Sequence, residues 1–94
     1  MRIRLLRDAE TGLPHIYAHG VTEEEVEQVL RGHGEVLPAR DGAEMKLGQI
    51  IAGRSLQVVY VCEEEREGLF VLTAYPLQGR PKRGFRRRQR RWRP

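Results

Sequence analysis

Arg2-Ile3-Arg4-Leu5 alternates basic and apolar side chains at a period of two, the pattern of a strand with one buried face. Residues 8–12 read as a turn, and Pro14 opens a short helical turn over 15–19 that Gly20 ends. The period then lengthens. Thr22-Glu23-Glu24-Glu25 is a capping box: the Thr22 hydroxyl accepts from the Glu25 amide, the Glu25 carboxylate reaches back, and Val21 and Val26 stand as a hydrophobic staple. Val26, Val29 and Leu30 give the i, i+3, i+4 face, the glutamates meet the positive end of the helix dipole, and Gly32 is the stop. A helix is predicted over 22–31.

From residue 35 the period shortens to that of a sheet. Segments 35–40 and 43–50 flank Asp41-Gly42, the dipeptide of a two-residue hairpin turn, and Pro38 lacks the amide proton a central strand needs, so its strand belongs at an edge. Segments 55–62 and 69–75 are apolar on both faces, as central strands are, and the acidic turn 63–68 joins them as a second hairpin. Tyr60 and Tyr75 are spaced on these strands so that they can share a face. The pattern predicts a two-layer α+β domain, a mostly antiparallel sheet of four to five strands packed against one main helix. After Pro76, the breakers Gly79, Pro81 and Gly84 divide the chain into a domain, 1–79, and a basic C-terminal tail, 80–94, with at most a short helix from about Phe85.

Composition fits one small domain. The chain has 94 residues, 39% hydrophobic and 32% charged, with no apolar run approaching the roughly 18 residues of a membrane span. No apolar h-region follows Met1–Arg4, so no secretory signal, no membrane partner and a cytoplasmic location are expected. Cys62 is a single cysteine in an apolar run, expected to be a small buried hydrophobe.

Charge changes the picture more. Residues 1–79 hold 8 Lys and Arg against all 13 Asp and Glu, a balance of −5, whereas 80–94 hold 9 basic residues and no acid, for +4 in all. Arg80, Lys82, Arg83, Arg86, Arg87, Arg88, Arg90, Arg91 and Arg93, interleaved with Phe85 and Trp92, offer guanidinium forks for phosphates and flat faces for bases. Nucleic-acid contact is the expectation for this segment; the plainer alternative is a solvated tail.

Catalytic motifs are scarce. The chain has no Gly-rich loop ending in Lys-Ser/Thr, no serine elbow and no His-Glu-x-x-His. His15 and His19, four apart, have the spacing of two metal ligands without a third, so no metal or other cofactor is expected, and one or both histidines are expected to cap their turn and pack beside the 22–31 helix. Arg54, at the entrance to a central strand, has as its plain reading a surface ion pair with one of Glu63–Glu65.

Residues 14–30 (Pro-His-Ile-Tyr-Ala-His-Gly-Val-Thr-Glu-Glu-Glu-Val-Glu-Gln-Val-Leu), 51–60 (Ile-Ala-Gly-Arg-Ser-Leu-Gln-Val-Val-Tyr) and 72–75 (Leu-Thr-Ala-Tyr), followed by the arginines, resemble in order and spacing the BrnT-type toxin family and related domains. The resemblance implies a RelE-like fold, metal-independent cleavage of RNA that halts translation, and neutralisation by a cognate antitoxin encoded by the neighbouring gene. It places Arg54 at the family's Gly-Arg, His19 at its His-Gly, and Arg80, Lys82, Arg83 and Arg86 in its basic C-terminal segment. Arg54 and Arg83 would then stabilise charge on the phosphate, and His19 or Tyr75 would take the 2′-hydroxyl proton. The chain departs from the family where an arginine follows Ser/Thr-Ala; that position is Tyr75. A non-catalytic RNA- or ribosome-binding module of the same fold is the alternative.

Overall fold

The structure, a computed structural model, describes residues 1–92, with side chains to Arg91; Arg93 and the Trp92 side chain lie outside the described residues. The elements run β1 (Arg2–Leu5), a 3₁₀ turn (His15–His19), α1 (Glu23–Arg31), β2 (Glu35–Pro38), β3 (Glu44–Gln49), β4 (Ser55–Glu63), β5 (Gly68–Pro76) and α2 (Gly79–Trp92). The five strands form one sheet in the order β1-β5-β4-β3-β2. Pairing is antiparallel except at β1, which lies parallel to β5 with Arg2 opposite Gly68. The fold is therefore α+β with a mixed sheet, and Pro38 stands on an edge strand, where its missing donor costs no ladder bond.

The first helix forms as its sequence dictates. Thr22 Oγ1 accepts from the Glu25 amide at 3.2 Å, and the Thr22 amide donates to Glu25 Oε1 at 3.0 Å. Gly20 takes φ 71°, closing the 3₁₀ turn in the left-handed region that Pro14 and residues 15–19 run into. At the other end Gly32 is extended, and Lys46 caps the helix instead: its Nζ donates to the Leu30 and Gly32 carbonyls at 3.1 and 2.6 Å. Burial pushes the Lys46 ammonium below its usual range.

α1 buries Val26, Val29 and Leu30 against Leu56, Val58 and Tyr60 of β4 and Val71 and Ala74 of β5. Val71 and Ala74 are three apart, yet both face this core because a bulge opposite Val59 and Tyr60 adds a residue to β5. A Cβ on Gly48 would lie 3.0 Å from Val29, so the bare backbone there lets α1 seat on β3.

Lys46 and Gly48 face α1, so Leu47 between them points to the opposite side. There it meets Leu77, Phe85 and half-buried Leu37. This second small core is what the sequence pattern did not reveal. α2 is a 14-residue helix beginning at Gly79 rather than a short one from Phe85, and it covers part of the second sheet face. The layers are thus α1, sheet and α2, with two helices in place of one main helix. Pro81 falls in the first turn of α2, where a missing amide proton breaks no helical bond.

Three smaller expectations change. The β2–β3 connection is five residues, 39–43, with a 3₁₀ turn at Arg40–Gly42 closed by the Ala39 amide donating to the Ala43 carbonyl at 2.9 Å, in place of a two-residue turn. Cys62 is exposed: it continues the face of Tyr60, but β4 has by then run past its pairing with β3 at Glu44. Tyr60 and Tyr75 lie on opposite faces, because Tyr75 pairs with Gln57, an odd number of residues from Tyr60.

Phe85→Ala should lower the unfolding free energy by about 3–5 kcal/mol, since a fully buried aromatic is removed from a core of few members. Urea denaturation followed by circular dichroism measures it; an unchanged midpoint would mean that α2 does not pack as described.

Candidate nucleic-acid interface

At 3.6 residues per turn, Arg83, Arg86, Arg87 and Arg90 fall on the half of α2 turned away from Phe85. The four line a surface pocket of about 260 Å³. No carboxylate lines it, and among the described residues none of the four forms an ion pair. Guanidinium keeps its proton at any physiological pH, so this face of α2 carries four fixed positive charges. Arg80 and Arg91 are exposed at the two ends of the same helix.

The rest of the basic run has other employment. Arg88 Nε donates to Glu35 Oε2 on β2, and Gln89 Nε2 donates to Gln49 Oε1 on β3 at 3.1 Å, so this side of α2 is spent on the sheet. Lys82 is half-buried and Phe85 fully buried, which removes Phe85 as a face for stacking bases. The group of arginines that face solvent together is thus narrower than the full run that the sequence singled out.

A second group of candidate residues gathers near the N-terminus of α1. Arg54 Nη2 donates to the Gly20 carbonyl at 2.7 Å and to Glu25 Oε1 at 2.9 Å. Glu63, part of the acidic group that was the plain expectation for Arg54, is held instead by Arg4 through two bonds of 2.9 and 2.7 Å. Burial pushes the Glu25 carboxyl up, but the Thr22 amide and Arg54 guanidinium outweigh it and hold it below its usual range. Arg54 therefore ties the β3–β4 turn to the start of α1.

His19 follows the same corner. It is exposed, edge-on to His15 at 5.4 Å and tilted against Tyr75 at 5.8 Å between ring centroids, so it reaches the end of β5. His15 Nδ1 lies 2.8 Å from Asp8 Oδ1, and Gln57 Nε2 donates to the Tyr75 hydroxyl at 2.8 Å. The structure thus brings His19 and Tyr75 together with Arg54 one carbonyl away, while Arg83 belongs to the α2 pocket. Sequence reasoning missed Glu25 as the partner of Arg54, as well as Asp8 and Gln57. Glu25 was visible as a capping residue, but its second bond crosses 29 residues and leaves no local signal.

Among the described residues, no three or more His, Cys, Asp or Glu are grouped to hold a metal ion, and no helix is long and apolar enough to cross a membrane. Comparison with protein-family models, curated proteins and solved structures gave no significant match.

Because the Glu25 carboxyl is depressed in the fold, its contribution is present above the unfolded value, ordinarily 4.5, and is lost as pH falls through the lower folded value. Glu25→Gln should cost about 1 kcal/mol at pH 7, a modest figure because half-exposed Arg54 is screened by solvent. Denaturation of both proteins from pH 7 to pH 2.5 should show the difference closing in acid; a pH-independent gap would contradict this assignment.

Proposed function

We propose that this chain binds RNA through the outward face of α2. One observation carries the reading: Arg83, Arg86, Arg87 and Arg90 share a pocket with no carboxylate in it, on a basic segment that follows a net acidic stretch, residues 1–79. Single-stranded RNA supplies phosphates for the guanidinium forks, and electrostatic attraction to the basic helix is independent of base sequence. The segment's resemblance to the basic C-terminal segment of BrnT-type toxins points the same way. So does the α+β architecture, which is compatible with a RelE-like domain.

Cleavage is the second reading, in which the chain is the cytoplasmic toxin of a type II pair, neutralised by an antitoxin from the adjacent gene. The packing of His19 on Tyr75 favours it, because His19, a candidate proton acceptor, adjoins Gly20, whose carbonyl binds Arg54. Against it, Arg54 is already partnered by Glu25, which leaves its guanidinium less able to meet charge developing on a phosphate. The balance supports binding as the primary function. Growth arrest on induced expression, lost in His19→Ala with the fold retained, would put cleavage first.

For four phosphate contacts, the logarithm of affinity for a 12-nucleotide oligouridylate should fall with log salt at a slope of about −3, from roughly 0.7 per contact. Replacing Arg83 and Arg87 with glutamine should halve that slope, whereas Arg54→Ala should leave it unchanged. Fluorescence anisotropy from 50 to 300 mM KCl reads both, and a slope indifferent to the α2 substitutions would overturn the proposal.

A further inference from the structure

Along α2, Arg83, Arg86, Arg87 and Arg90 stand three and four residues apart, so each one has two others of the group as like-charged neighbours. That spacing opposes helix formation, and α2 carries no acidic residue to relieve it. Pro81 and Gly84 add little helix propensity of their own. Holding the helix in place are buried Phe85, the Arg88–Glu35 pair and the Gln89–Gln49 bond. The helix is thus docked on one side through Phe85, Arg88 and Gln89 and opposed electrostatically on the other.

We infer that the four-arginine pocket is a binding site for a chain of linked phosphate groups, and that filling it and docking α2 as a helix are one coupled equilibrium. This deepens the RNA-binding reading and rests on it. Seven residues separate Arg83 from Arg90, about 10 Å along the axis, so a single phosphate meets a fraction of the arginines while a phosphate chain meets them together. Such a ligand replaces repulsion between neighbours with paired charge. The arginines share one face only when α2 is helical, so a ligand that requires them together binds the docked state and stabilises it by mass action. A nucleic-acid backbone and inorganic polyphosphate share this chemistry.

The test uses the full chain with either inorganic tripolyphosphate or a 12-nucleotide oligouridylate, against KCl of equal ionic strength. Amide hydrogen exchange over 79–92 and Tm are read, with RNA binding followed by anisotropy in the same samples. Both ligands should slow exchange in α2 about tenfold and raise Tm by roughly 5 °C. Without ligand, Arg83→Gln with Arg87→Gln should make α2 more protected than in the parent chain, and should abolish the response to tripolyphosphate. If these arginines simply build the helix, the double substitution will lower protection, and the inference fails. It also fails if RNA protects α2 and tripolyphosphate does not, or if RNA binds without altering exchange in 79–92, an outcome that leaves RNA binding itself intact. Protection by tripolyphosphate with no RNA binding in the anisotropy channel would uphold the phosphate site and overturn the RNA reading.

Discussion

Burial of the Phe85 ring gives the basic segment its shape. The other described contacts on the inner side of α2 are polar, Arg88 with Glu35 and Gln89 with Gln49, and neither would be worth much alone in water. Burying Phe85 is worth about 1.5–3 kcal/mol. The four like-charged pairs among Arg83, Arg86, Arg87 and Arg90 cost together roughly 1–2 kcal/mol at about 0.2–0.5 each. The two terms are of similar size, and the docked ring fixes the rotation of the helix. Once Phe85 points at Leu47 and Leu77, the arginines half a turn away must point outward together.

Arg54 and Arg83 show how the same residue type comes to different ends. Arg54 sits where two elements meet, and its guanidinium is taken up by a helix-capping carboxylate and a corner carbonyl. Arg83 sits on a helix with no acid, and its charge faces solvent with three others. The first arrangement strengthens the corner that carries His19, while the second leaves cationic capacity for a ligand. A protein whose acids all lie before residue 79 can sustain both without mixing them.

Much of the first sheet face was legible because its signals are local. The Thr22–Glu25 capping box, the Pro14 to Gly20 turn and the edge position of Pro38 each depend on residues within a few positions of one another. The second face was not legible. One phenylalanine among arginines has no period, and Gly79, Pro81 and Gly84 signal a break although Pro81 lies in a first turn that tolerates it. The same limit applies to the candidate residues. The sequence identified the basic run but could not tell Arg88, held by Glu35, from Arg87, which lines the pocket. The proximity of His19 to Tyr75 follows from β5 and the 3₁₀ turn meeting in space, and the Arg54–Glu25 pair from a similar long-range closure.

The outward face of α2 as the seat of RNA recognition is tested most directly by the arginine Nε–Hε resonances in a ¹⁵N-labelled chain titrated with single-stranded RNA. Arg83, Arg86, Arg87 and Arg90 should shift progressively with RNA, while Arg88, held by Glu35, and Arg54, held by Glu25, keep their free positions. Movement of Arg54 and its neighbours with the four α2 resonances left in place would contradict it.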